Sequence, residues 1–238
     1  MSTVWTVLPY LAALALVGGT VWRWRYDKFG WTTRSSELYE SRLLRLASPV
    51  FHYGILFVFV GHIVGLFVPD SWTSALGIGE HPYHLLSLYG GTAAGALTVL
   101  GIAVLLYRRR TNGPVFRATT ANDKVMYLVL TAAIVLGMWA KLAHSSGNGY
   151  NYRLTIAPWL RSLFTFQPDT ALMAGVPVLY QVHVVVGLVL LALVPYTRLI
   201  HIFSAPIHYL FRPYIVYRSR DVGRPGTRDD RRGWERVP

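Results

Sequence analysis

Eight histidines stand in this sequence, and four of them lie where an ionisable side chain is costly. His52 and His62 fall within one long apolar run, His183 and His201 within another, whereas His81, His84, His144 and His208 sit in loops or at the ends of runs. An ionisable residue inside an apolar span is a functional signal by default. Taken singly, each of the four also has a plainer reading, a hydrogen bond between helices. Their spacing favours chemistry. His52 and His62 are ten residues apart, about 15 Å along a helix and about 80° from alignment, still inside one broad stripe. His183 and His201 are eighteen apart, about 27 Å and five full turns, which puts them on one face of an unbroken helix. Two imidazole pairs at two depths are what two stacked bis-histidine haems require. An iron held on both axial sides has no open position for O₂ or substrate, so such a pair carries electrons. A zinc centre fits less well, because the four side chains fall into two separated pairs instead of converging.

The elements that must hold these side chains follow from composition. The chain has 238 residues, 53% hydrophobic and 14% charged, against about 25% charged in a soluble domain. Five apolar runs are long enough to cross a bilayer core of about 30 Å: roughly 4–22, 50–68, 85–107, 125–142 and 178–203. A chain this short cannot bury five such helices in its own core. The expected fold is therefore all-α and polytopic, a five-helix domain over residues 1–217 embedded in a lipid bilayer, with a polar tail over 218–238 that stays disordered until a partner orders it. Pro49 suits the first turn of the second span and Pro69 its stop, while Pro195 should kink the fifth. The first run lacks a basic leader and a clear cleavage site, and reads as a retained span.

The net charge of +12 is not spread as a nucleic-acid surface would be, so no nucleic acid is expected. It clusters between spans. The first connection carries Arg23, Arg25, Lys28, Arg34, Arg42 and Arg45; the third carries Arg108, Arg109, Arg110, Arg117 and Lys124; nine more follow from Arg198 onward. The second connection has none, and the fourth only Lys141, Arg153 and Arg161. The positive-inside rule then puts the N-terminus outside and the C-terminus in the cytoplasm. Spans two and five run antiparallel, which pairs His52 with His201 near the inner surface and His62 with His183 near the outer one. The unequal spacings require the two helices to cross or bend. Gly54, Gly61, Gly65 and Gly187 flank the pairs, where either a flat macrocycle or ordinary helix packing needs close backbone approach. Arg108–Arg110, Arg117 and Arg198 could meet propionates of the inner haem or simply mark the headgroup boundary. The absence of cysteine excludes disulfides, CxxCH haem attachment and cysteine-held iron–sulfur clusters on this chain.

Phe51-His52-Tyr53-Gly54-Ile55-Leu56, followed by Phe59-Val60-Gly61-His62 and Gly65, resembles the membrane cytochrome b (gamma) subunit of respiratory nitrate reductase. So do Arg117-Ala118-Thr119-Thr120, His183-x-x-x-Gly187, and Arg198-Leu199-Ile200-His201-Ile202 with Pro206 and Tyr209-Leu210; Pro9-Tyr10 and Tyr26-Asp27 match more weakly. The two histidine-bearing motifs are the specific part, and the resemblance runs to about Arg218.

That resemblance implies a multi-pass protein of the cytoplasmic (inner) membrane binding two haem b, the inner through His52 and His201, the outer through His62 and His183. It implies oxidation of quinol (menaquinol or ubiquinol) near the outer haem. It also implies two cytoplasmic partners: an iron–sulfur beta subunit, and an alpha subunit whose molybdenum cofactor reduces nitrate to nitrite. Gly61 and Gly65 are the expected quinol contacts. The family's lysine before the third span is absent from Gly79-Glu80-His81-Pro82-Tyr83-His84, so His81 or His84 is expected in its place. A related cytochrome of a sulfite-reductase-associated or heterodisulfide-type complex would read similarly within the membrane. A haem-free anchor or a histidine-lined proton path is the reading from another class.

Overall fold

The computed structural model describes residues 2–27, 29–31, 35–143 and 150–204. Lys28, Arg34, His144, Pro206, His208, Tyr209-Leu210 and the tail 218–238 lie outside the described residues. Among the described residues every regular element is helical: α1 (Ser2–Tyr26), α2 (Arg42–Phe67), α3 (Asp70–Ala75), α4 (Glu80–Thr111), α5 (Gly113–Arg117), α6 (Ala121–Ala143), α7 (Ile156–Phe164), α8 (Val178–Leu193) and α9 (His201–Ser204), with four short 3₁₀ turns. Five segments are long and apolar enough to cross a membrane: 3–26, 42–67, 80–111, 121–143 and 178–196. Their flanks are apolar and exposed, as at Leu14, Val17, Phe57, Phe59, Leu86, Leu100, Leu128 and Val178, the pattern of helices solvated by lipid.

Three boundaries differ from the sequence reading. The second helix begins at Arg42, so Pro49 lies inside it instead of in its first turn. Glu40 makes the early start workable, because its carboxylate accepts from the Leu43 N–H at 2.7 Å and so satisfies one of the orphan donors of the first turn. That bond, with the Arg108 guanidinium beside it, holds the Glu40 carboxyl below its usual range. The fourth helix starts at Glu80, which puts His81 and Pro82 in its first turn and not in a loop. Proline is tolerated there, where no intrahelical donor is needed.

The third difference concerns the fifth span. It does not kink at Pro195 but breaks. Regular helix ends at Leu193, 3₁₀ turns cover Val194–Tyr196 and Arg198–Ile200, and Thr197 between them is extended at φ −125° and ψ −174°. His201 therefore does not share a helix face with His183.

Packing is a partial ring. α2 lies on α4, α4 on α6, α6 on α8, and α1 on α8, while α2 and α8 are not packed along each other. The α2–α4 seam is closed by two glycines: a Cβ on Gly54 would stand 2.7 Å from Thr98 N, and one on Gly101 would stand 2.6 Å from Phe51 Cα. At one end the start of α1 meets α7 and the segment before α8, where Trp5, Ile156, Trp159, Leu163, Met173 and Val176 form a buried cluster. At the other end basic residues are tied down: Arg108 donates through Nε to Glu40 Oε2 at 2.5 Å, and its other nitrogens reach Ser36 and the Glu40 carbonyl.

Candidate functional site

The unpacked gap between α2 and α8 is where the four histidines meet. The ring centroids of His52 and His201 are 6.0 Å apart, and those of His62 and His183 are 6.2 Å apart. Because residue numbers rise on α2 as they fall on the partner segment, the two strands of the pairing are antiparallel. His52 and His62 share the continuous helix α2, which separates the two sites by about 15 Å.

The tautomers follow from the bonds each ring makes. His52 Nδ1 lies 2.7 Å from the Ser48 carbonyl, His62 Nδ1 2.8 Å from the Val58 carbonyl, and His201 Nδ1 2.6 Å from the Arg198 carbonyl. A carbonyl oxygen can only accept, so Nδ1 carries a proton in each, and in the neutral ring the lone pair is on Nε2. This is the arrangement of a metal-ligating imidazole, its ring oriented by the carbonyl that its other nitrogen bonds. His183 is the exception: its ring turns to the Ala133 backbone on the neighbouring helix α6 instead of to a carbonyl of its own segment.

The fit to haem can be tested on these distances. Two metal–nitrogen bonds of about 2 Å, plus about 1.1 Å from each Nε2 to its ring centre, give a centroid separation of about 6.2 Å. Both pairs lie within 0.2 Å of that value. Among the described residues no three His, Cys, Asp or Glu side chains converge, so a metal at either pair would take its equatorial ligands from a group it brings with it, as haem iron does. A Cβ on Gly61 or Gly187 would meet no protein atom within 4 Å, which leaves both backbones open to a flat ligand. Gly54 and Gly65 serve packing instead, Gly54 against Thr98 and Gly65 against the Tyr152 hydroxyl. The residues present therefore fit the group.

Sequence reasoning missed Gly137. It lies on α6, and a Cβ there would stand 2.7 Å from His183 Cε1, so a glycine is what lets that ring sit where it does. One glycine in an apolar run gives no sign of this. Asp123 was also missed, though a legible signal existed: Thr120 and Asp123 form a reciprocal capping box, Thr120 N to Asp123 Oδ2 at 2.9 Å and Asp123 N to Thr120 Oγ1 at 3.1 Å, at the spacing that marks helix starts.

Arg198, expected near a propionate, is bidentate on Asp123, with Nε to Oδ1 at 2.5 Å and Nη2 to Oδ2 at 2.9 Å. His81 and His84 are exposed in the first turns of α4. Between them Tyr83 lies under the Arg153 guanidinium at 3.8 Å. Arg153 is buried and reaches Asp70 at 3.3 Å, Glu80 at 3.4 Å and Thr73 at 2.9 Å, tying α3, the start of α4 and the segment before α7 together. Among the described residues no hydrogen bond or ring contact joins His81 or His84 to His62.

Comparison with known proteins adds an independent line. The nitrate reductase gamma subunit family matches residues 1–220. The chain is 59% identical to the nitrate reductase-like protein NarX of Mycobacterium tuberculosis over 97% of its own length, but it spans only 35% of that relative. It is 38% identical to the nitrate reductase gamma chain of Bacillus subtilis, over 91% of this chain and 97% of the relative. It is 32% identical to the respiratory nitrate reductase 1 gamma chain of Escherichia coli, over 90% of this chain and 95% of the relative.

Proposed function

From the premise that this chain belongs to the nitrate reductase gamma subunit family, we propose that it is the dihaem b subunit that takes electrons from quinol and delivers them across the membrane to nitrate-reducing partners. His52 and His201 hold one haem b at the basic end of the bundle; His62 and His183 hold the other at the opposite end. A haem held by each pair would supply reversible one-electron carriage. The observation that carries the reading is the geometry of the pairs. Two ring separations near 6 Å and three Nδ1–carbonyl bonds that leave Nε2 as the ligating nitrogen of a neutral ring support a metal held between each pair.

The basic end is cytoplasmic by the positive-inside rule, so the His62–His183 pair is the outer one and quinol is oxidised beside it, near Gly61 and Gly65, with His81 or His84 accepting a proton. Quinol releases two electrons and two protons. The two histidine pairs offer a path for electrons and none for protons, so the protons would leave on the outer side while charge moves inward, and turnover would build a membrane potential. The electrons pass to an iron–sulfur beta subunit and a molybdenum alpha subunit on the cytoplasmic face of the cell membrane.

The test is spectroscopic. His52→Ala or His201→Ala removes the inner haem and spares the outer one; His62→Ala or His183→Ala does the reverse. Dithionite-reduced difference spectra of membranes with matched protein levels read the result. Loss of the same haem in His52→Ala and His62→Ala would overturn the pairing, and full haem content in all four variants would overturn the cytochrome reading itself.

A further inference from the structure

We propose that Asp123 is a positioning residue for His201, acting through Arg198, and that Arg23 and Asn122 hold the broken turn on which His201 is carried. The proposal rests on the reading that His52 and His201 hold a haem.

The break at Pro195 creates a problem that these residues solve. An unbroken helix would satisfy the carbonyls of residues 195–197 with the N–H groups four residues on. Here Thr197 is extended, and backbone polar groups within a membrane need partners. The Ile200 N–H serves the Thr197 carbonyl at 3.3 Å, and side chains from two other helices serve the rest. Arg23 on α1 donates through Nη1 to the Pro195 carbonyl at 2.6 Å and lies 3.4 Å from that of Thr197. Asn122 on α6 donates through Nδ2 to the Tyr196 carbonyl at 2.7 Å. Gly19 on α1 makes room for the turn, since a Cβ there would stand 2.7 Å from Pro195 Cγ. The turn itself is packed, with Val194, Pro195, Thr197 and Ile200 buried.

From this turn a short chain of contacts leads to the ligand. Thr120 fixes the Asp123 carboxylate in its capping box, and Asp123 is 4% exposed. The carboxylate grips Arg198 with two bonds, a planar fork-to-fork contact that fixes direction as well as distance. The Arg198 carbonyl then accepts the Nδ1 proton of His201, and the His201 ring faces His52 with 72° between the two planes. The contact through which this chain reaches the ring is the one at its Nδ1. They act only by fixing where the Arg198 carbonyl points. His183 is held otherwise, on a continuous helix with its ring against the Ala133 backbone of α6. The two ligands carried by this segment are thus held differently, and the effect of Asp123 is confined to the inner haem.

The experiment uses the full complex in native membranes, with Asp123→Ala, Asp123→Asn, Asp123→Glu and Asn122→Ala, protein level fixed by immunoblot. It reads haem content, the midpoint potential of each haem, and the low-field g value of the oxidised inner haem, which follows the angle between its imidazole planes. Asp123→Ala is expected to weaken inner-haem retention on the order of 10- to 100-fold, as loss of an outer-shell partner does, while the outer haem keeps its potential. Asp123→Asn is expected to keep the haem but shift its g value and potential, and Asp123→Glu to restore part of both. If Asp123→Ala does not accumulate, the Asn variants decide. Wild-type g value and potential in both would overturn the proposal. Equal loss of the two haems in any accumulating variant would also overturn it, showing a general structural role. Full haem content in His201→Ala would instead overturn the underlying haem reading, so the two failures are distinguishable.

Discussion

Gly137→Ala isolates a single steric demand of the outer site. The added Cβ would lie 2.7 Å from His183 Cε1 and 3.3 Å from both ring nitrogens. Carbon atoms rest at about 3.5–4.0 Å, so the ring must retreat by about 0.8–1.3 Å. The size of the cost depends on whether the ring is tethered. An imidazole with no metal turns about its two side-chain torsions and relieves the contact cheaply, and the alanine gains about 1 kcal/mol of helix propensity over glycine. An imidazole bonded to iron cannot turn without leaving its axial position, and functional geometry tolerates only about 0.5 Å. Overpacking of this kind costs about 1–3 kcal/mol, which more than cancels the helix gain at the upper end. The expected outcome is a chain that accumulates normally, with the outer haem depleted or shifted in potential and the inner haem unchanged. Potentiometric titration of the b-type absorbance in membranes, with Gly187→Ala in parallel, makes the measurement. Two unperturbed haems in Gly137→Ala, or equal loss of both, would refute the reasoning.

Two further outcomes are expected. A reporter enzyme active only outside the cytoplasm should be silent when fused after Phe203 and active when fused between residues 145 and 150, and the opposite pattern would invert both the orientation and the side of proton release. Quinol-dependent haem reduction should slow in the His81→Ala, His84→Ala double variant with haem content intact, because an imidazole able to accept a proton is lost at the proposed oxidation site. Unchanged quinol kinetics there would move the acceptor elsewhere.

How far the sequence alone could carry this is clearest from particular residues. The spans are legible because lipid solvation demands long apolar runs whatever the neighbours do, and five runs read from composition correspond to five helices. Their ends are less legible. Arg42 to Pro49 looks like a polar approach to a span, yet it is helical because Glu40 caps it and Arg108 from a distant helix steadies Glu40. The four histidines stand out because each is costly where it is. Gly137 and Asp123 do not, since their roles exist only once α6 lies against α8 and the turn before His201. Arg153 enters a charge count as one cation, whereas the fold gives it Asp70, Glu80, Thr73 and the ring of Tyr83.

The break at Pro195 is the step that makes the four histidines one device. Ten residues separate His52 from His62 on a continuous helix, about 15 Å. Eighteen separate His183 from His201, and an unbroken helix would place them about 27 Å apart. Rings at the ends of such unequal lengths cannot both stand 6 Å from their partners unless about 12 Å is taken up somewhere, and crossing alone would splay the helices at one end. The regular helix after His183 stops at Leu193, ten residues on, so it advances the same 15 Å or so as α2 does between its own pair. The eight residues from Val194 to His201 then leave the α-helical path through two 3₁₀ turns and an extended Thr197. The surplus in the sequence spacing is thus the length of the break, and the polar side chains gathered around it are what a break inside a membrane requires. A proline that would merely bend a helix elsewhere here precedes a break, because Arg23 and Asn122 bond the carbonyls of Pro195 and Tyr196 while Asp123 holds the Arg198 side chain just beyond them.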